Sequence, residues 1–152
     1  MAIKKKIANT EDKLGNTVEL WWSNNIANTP TVPLFLKTYA EIVEKGLANP
    51  TFTFENDNRV TWVQTPDGVI MGGICYKYIP EQYLGWIILS FTDPAYRGRG
   101  INELCHRVYE GDCRKLGAKQ LGSIVATDNA ARLRSAEKVG MAPKFFRMQK
   151  DL

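Results

Sequence analysis

The sequence holds a single histidine, His106, and three cysteines, Cys75, Cys105 and Cys113, among its 152 residues. No two cysteines form a C-x-x-C pair, and one histidine is too little company for a transition-metal site, so no metal is expected. An odd set of three builds no disulfide framework either. Cys105 and Cys113 fall on one expected helix, separated by a rise of about 12 Å, which is beyond disulfide reach. Reduced thiols of a cytosolic protein fit best. Long hydrophobic runs are also missing: nothing approaches a membrane span, and Lys4-Lys5-Lys6 is followed by no apolar stretch of the kind a secretory signal carries. A cytoplasmic location is therefore expected, with no membrane partner. No repeat, low-complexity tract or evident linker divides the chain, so one domain over residues 1–152 is the economical expectation.

What is present is ordinary for a globular chain, with 44% apolar and 11% aromatic residues. Twenty Lys and Arg against sixteen Asp and Glu leave a net charge of +4, which favours anionic ligands without naming one. Lys4-Lys5-Lys6, Arg97 and Arg99 leave nucleic acid open as a weak alternative partner. A run of three lysines is more often a solvated strand or tail end.

The first third carries few sharp signals. Val18 to Trp22 reads as a strand, and Leu34, Phe35, Tyr39, Ile42, Val43 and Leu47 recur at helical spacing until Gly46 and Asn49-Pro50 stop the helix. From residue 51 the pattern turns to strands. Val60 to Gln64 and Val69 to Tyr78 flank Thr65-Pro66-Asp67-Gly68, a turn that predicts an antiparallel hairpin. Tyr83 to Thr92 is nearly all apolar, as a central strand covered on both faces should be. Ile101, Leu104, Cys105, Val108 and Leu116 then mark one broad helical face, stopped by Gly117. Lys119 to Ala126 reads as another buried strand, Ala130 to Val139 as a helix capped by Asp128 or Asn129, and Lys144 to Gln149 as a final strand.

Between the apolar strand and the helix lies Asp93-Pro94-Ala95-Tyr96-Arg97-Gly98-Arg99-Gly100-Ile101-Asn102. A strand, a glycine-rich turn and a helix start together make an anion site. The unpaired N–H groups of the first turn converge, and the helix dipole adds positive potential. That is chemistry for a pyrophosphate.

This turn, with Lys115-Leu116-Gly117-Ala118 after its helix and Asn129-Ala130-Ala131 through Glu137-Lys138-Val139-Gly140-Met141 downstream, resembles the acyl-CoA-binding half of the GNAT acetyltransferase superfamily. The likeness covers about residues 60–152. It implies an α+β fold: a mixed, mostly antiparallel sheet with one parallel pair at the cofactor cleft, flanked by helices. It also implies acetyl-CoA as acyl donor. The family's phosphate pattern falls on Arg97, Gly98, Arg99, Gly100, Ile101 and Asn102, whose backbone amides would cradle the CoA pyrophosphate. Asn102 stands where the family usually has Gly or Ala, which implies crowding rather than loss of the site. The Arg97 and Arg99 side chains could add phosphate contacts, with solvent the more expected surroundings for Arg99. The resemblance places the backbone of Ser90, Phe91 and Thr92 along the pantetheine arm. Asn129 matches a cofactor-bonding Asn, and a simple helix cap remains open for it.

The implied reaction is acetyl transfer to an amine by direct attack in a ternary complex. It demands a base for the ammonium, an N–H donor for the oxyanion and support for the leaving thiolate. Two departures bear on it. Ala136 stands where the family often has a tyrosine acid, and Tyr83 to Thr92 contains no carboxylate where some members carry a glutamate base near Trp86. Ser135, Tyr96, Tyr109 or water remain open as acid, and Glu81, Asp93, Asp128 or a carboxylate of the first third as base; His106 reads as structural. No catalytic residue is therefore assigned. Trp21, Trp22, Phe35, Tyr39 and the Tyr78 to Tyr83 connection are the aromatic candidates for an acceptor pocket, although such residues more often fill a core. The acceptor is expected to be a small-molecule or peptide amine, and a homodimer stays open. A catalytically silent module that binds CoA or a protein partner is the alternative.

Overall fold

The computed structural model describes residues 2–46, 54–55, 57–123 and 130–142. Six strands among them form one sheet in sequence order: β1 (Lys4–Glu11), β2 (Thr17–Ser23), β3 (Arg59–Gln64), β4 (Ile70–Ile79), β5 (Leu84–Thr92) and β6 (Gln120–Ser123). Neighbours pair antiparallel from β1 to β5, and β5 pairs parallel with β6. Three α-helices accompany them: α1 (Val32–Glu44), α2 (Ile101–Leu116) and α3 (Ala130–Lys138). None of the described helices is long and apolar enough to cross a membrane.

Lys4 to Lys6 begin β1, which is exposed along nearly its whole length and, among the described residues, is an edge strand paired on one side only. Charged side chains suit such an edge because they discourage further strand pairing. The hairpin joining β1 to β2 was not read from the sequence. Its turn is built by Asp12, whose Oδ1 accepts the N–H groups of Leu14 at 2.9 Å and Asn16 at 3.0 Å. That is an Asx-type turn, and Asp12-Lys13-Leu14-Gly15-Asn16 was its overlooked signal.

An apolar layer covers each face of the sheet. On one, α2 lays Ile101, Cys105, Tyr109 and Cys113 against Val18, Leu20, Val63, Met71, Ile74, Tyr76 and Ile87. These α2 positions recur every four residues and so form a single stripe. On the other, Phe35 of α1 packs with Ile26, Val60, Trp62, Cys75 and Leu89. All three cysteines are free and buried in these layers. Burial pushes the thiols of Cys105 and Cys113 up to about 12, so neither ionises near neutrality.

A bulge in β5 shapes the region around the glycine turn. Cys75 pairs with Leu89 and Tyr76 with Ile87, leaving Ile88 as an extra residue. Residues two apart on a regular strand share a face. Here Ile87 joins the α2 layer and Leu89 the α1 layer, because the bulge inverts the alternation between them. The β5–β6 pairing among the described residues runs from Leu84–Gln120 to Ile87–Ser123. Beyond it β5 continues to Thr92, held by β4.

Gly72 sets how closely α2 meets this end of the sheet. A Cβ there would lie 2.8 Å from the Phe91 carbonyl oxygen and 2.9 Å from Ile101 Cγ2. The start of α2 is thereby seated on β4 beside the end of β5. Helix α2 ends at Gly117, whose N–H donates to the Arg114 carbonyl, while Ala118 N–H donates to that of Cys113. The expected strand Lys144 to Gln149 lies outside the described residues, as do the last part of the strand expected at 119–126 and the last residue of the helix expected at 34–47.

Candidate anion-binding site

The chain leaves β5 under tight local control. Asp93 N–H donates to the Met71 carbonyl at 2.9 Å, and the Asp93 carboxylate accepts Ala95 N–H at 2.9 Å, capping a short 3-10 turn over Pro94–Tyr96. Asp93 is thus occupied as a cap. Arg97 is extended and exposed. Gly98 and Gly100 then both take φ of +78°, a left-handed backbone that L side chains rarely adopt. A Cβ at Gly98 would meet nothing within 4 Å, so conformation rather than crowding calls for glycine there.

The consequence is a set of free donors. Among the described residues no backbone acceptor takes the N–H groups of Gly98 through Glu103. The first α-helical bond is Leu104 N–H to the Gly100 carbonyl at 3.2 Å. Gly100 supplies no capping side chain. Orphan donors at a helix start, joined to the positive end of a 16-residue helix, fit an anion such as a diphosphate.

Arg99 departs from its expected place in solvent. Its side chain is 28% exposed, stacks on the Tyr96 ring at 5.2 Å, and places Nη1 3.8 Å from Oδ2 of the buried Asp12 carboxylate. Ile101 is buried in the α2 layer. Asn102 is half-buried, with its Nδ2 enclosed and lacking an acceptor among the described residues.

Ser90, Phe91 and Thr92 close β5, opposite Ile74, Gly73 and Gly72 of β4. The Phe91 ring meets Phe35 edge-on at 4.9 Å in the α1 layer, while Ser90 and Thr92 are half-buried. One end of the sheet therefore brings residues 90–92 and 97–102 together. Asn129 lies outside the described residues.

Of the candidate acids and bases, Tyr109, Tyr96 and Asp93 are engaged in local contacts. Tyr109 is buried and donates its hydroxyl to the Gly85 carbonyl at 2.7 Å; burial raises its pKa well above the usual range. Tyr96 lies against Arg99. Glu81 sits in the turn before β5, at the opposite end of that strand from Thr92. Asp128 is outside the described residues. Ser135 is half-buried on α3, and Ala136 is buried at 8% exposure. Trp86 packs over Gly122, where a Cβ would lie 3.1 Å from the indole. His106 is buried with its ring 5.2 Å from that of Tyr109. Burial lowers its pKa, Arg132 lowers it further, and Glu110 opposes both.

Of the aromatic candidates, Phe35 is wholly buried, and Trp22 donates Nε1–H to the Tyr76 hydroxyl and to Asp112. Trp21 stacks on Trp62 with centroids 5.8 Å apart, and Tyr39 is half-buried against the α1 layer. The Tyr78 to Tyr83 connection stands at the start of β5, about 26 Å along the strand from Thr92.

The architecture matches known structures. An aminoglycoside acetyltransferase from an uncultured soil metagenomic sample, solved with trehalose, superposes with a TM-score of 0.67 at 11% identity, over 89% of this chain and 96% of that one. A ribosomal-protein-alanine N-acetyltransferase from Brucella melitensis gives 0.63 at 14% identity, over 89% and 99%. An aminoglycoside N-acetyltransferase in complex with CoA gives 0.59 at 14%, over 89% and 99%. At these identities the likeness concerns the fold. No curated protein sequence matches the chain. A model of the Acetyltransferase (GNAT) family matches residues 18–141, most of the sequence, and the chain accordingly belongs to that family, whose acyl donor is acetyl-CoA.

Proposed function

We propose that the protein is an N-acetyltransferase that moves the acetyl group of acetyl-CoA to an amine by direct attack in a ternary complex. The observation carrying this reading is the row of N–H groups from Gly98 to Glu103 at the start of α2 that no backbone acceptor among the described residues takes, beside the end of β5 in a GNAT chain. The backbone of residues 97–102 would receive the diphosphate, with the Arg97 guanidinium exposed beside it. The backbone of Ser90, Phe91 and Thr92 would align the pantetheine arm, and Asn129 would add a polar contact. Acetyl-CoA supplies the activated thioester. A bulged residue leaves its ladder incomplete, so the backbone N–H at Ile88 would be the donor offered to the oxyanion.

No side chain of β5 takes the amine proton, so deprotonation falls to water or to a carboxylate of the acceptor-binding region. Holding both partners in line supplies much of the remaining acceleration. The acceptor is a small-molecule or peptide amine. Aminoglycoside acetyltransferases and a ribosomal-protein-alanine N-acetyltransferase among the similar structures support an amine in either form. The reading includes a single domain working in the cytoplasm.

One observation favours a second reading, a CoA-binding module without turnover: the position of the family's tyrosine acid is the buried Ala136. A thiolate leaves unassisted near neutral pH more readily than an alkoxide does, which keeps the enzyme reading first. Calorimetry with CoA and thiol release from acetyl-CoA across an amine panel separate the two. Binding with turnover is expected. Binding without turnover on any amine would favour the silent module, and no binding would sink both. Gly100→Glu forces a side chain against the Lys13 stem at a left-handed position, adds a negative charge beside the donors and should abolish CoA binding; normal binding would refute the cradle.

A further inference from the structure

The hairpin tip between β1 and β2 reaches the glycine turn from the far side of the sequence. Lys13 N–H donates to the Arg99 carbonyl at 2.9 Å, fixing the tip to the turn through the main chain. The methylenes of Lys13 cross Gly100, where a Cβ would lie 3.0 to 3.3 Å from its Cγ, Cδ and Cε. Lys13 Nζ then donates to Glu103 Oε1 at 2.9 Å. Asp12 faces Arg99 beside it.

Glu103 makes this arrangement more than a surface ion pair. It occupies the first turn of α2, where a carboxylate suits the helix dipole but competes with any anion sent to the same N–H groups. A diphosphate arriving there would meet a fixed negative charge within the first turn. The Lys13 ammonium cancels that charge while its backbone leaves the amides of Gly98 to Glu103 open.

We infer that Lys13 is a positioning residue of the cofactor site: it masks Glu103 so that the start of α2 accepts the diphosphate of an acyl-CoA. This rests on residues 97–102 being the phosphate cradle. It assigns to the exposed N-terminal hairpin a part in cofactor affinity.

The test compares CoA with pantetheine, which lacks the diphosphate and nucleotide, by calorimetry on the full chain. Lys13→Ala should weaken CoA binding about fivefold, the effect of exposing one charge near a divalent ligand at a solvated site. Pantetheine binding should not change. Adding Glu103→Gln should restore CoA affinity, and Lys13→Arg should retain it, with thermal melting confirming that each variant folds. Unaltered CoA binding by Lys13→Ala, a loss that Glu103→Gln does not recover, or an equal loss for pantetheine would overturn the inference. A wild-type protein that binds pantetheine as tightly as CoA would instead overturn the cradle itself, and the role of Lys13 with it.

Discussion

The Tyr109 hydroxyl reaches from the middle of α2 to the Gly85 carbonyl, at 2.7 Å, and ties the helix to the strand that delivers the chain to the glycine turn. The contact is close on every side. A Cβ on Gly85 would lie 2.6 Å from Cys113 Sγ and 2.9 Å from Leu121 Cδ2. Burial keeps Tyr109 protonated and therefore a donor.

Removing that hydroxyl takes one hydrogen bond from a buried carbonyl inside the sheet. Tyr109→Phe should lower stability by about 1–2 kcal/mol in chemical denaturation, with no loss of apolar packing. An unchanged midpoint would mean that the bond contributes nothing net.

A polar network secures the next turn of α2. Asp112 receives Arg59 through Nε at 2.7 Å and Nη2 at 3.2 Å, and it also accepts the Tyr76 hydroxyl at 2.7 Å and Trp22 Nε1–H at 3.2 Å. Both charged side chains are largely shielded from solvent, and the Arg59 guanidinium rests over the Trp22 ring. Asp112→Ala strands that guanidinium and should cost about 3 kcal/mol. Combining Asp112→Leu with Arg59→Met should cost less than the sum of the two single changes, because the unpaired charge is gone. Strict additivity would show that the pair is not coupled.

His106 makes stability depend on pH. Its folded pKa lies below the ordinary 6.5, first because it is buried, so the unfolded chain binds the proton more readily. Its contribution is complete above pH 6.5 and is lost as pH falls through the folded value. Glu110 and Arg132 face the group with opposite effects, and Tyr109 packs on its ring. Denaturant midpoints should fall between about pH 7 and about pH 5, and His106→Gln should flatten that part of the decline. A decline of equal steepness in the variant would remove His106 from the account.

Local patterns carried much of this molecule. Thr65-Pro66-Asp67-Gly68 announced the β3–β4 hairpin, and the helical spacing of Ile101, Leu104, Cys105, Val108 and Leu116 announced α2, because turn chemistry and helical period are properties of neighbouring residues. The break of alternation at Ile88 was invisible: in a run apolar throughout, nothing distinguishes a residue that faces α2 from one that faces α1. Trp22 and Phe35 looked like pocket candidates for a related reason. An aromatic side chain suits a core and a binding site equally, and only its neighbours decide between them.

By itself the sequence determined where a strand gives way to a helix through a glycine turn, since φ above zero at Gly98 and Gly100 is a demand on the residue type at those positions. It also carried the order of elements that marks the family. Tertiary structure alone decided what surrounds the turn. Arg99 meets Asp12 and Glu103 meets Lys13 across about 90 positions of chain, pairings set by how the sheet brings its first hairpin beside α2. No periodicity or local propensity encodes such a contact, because its energy depends on distance in space.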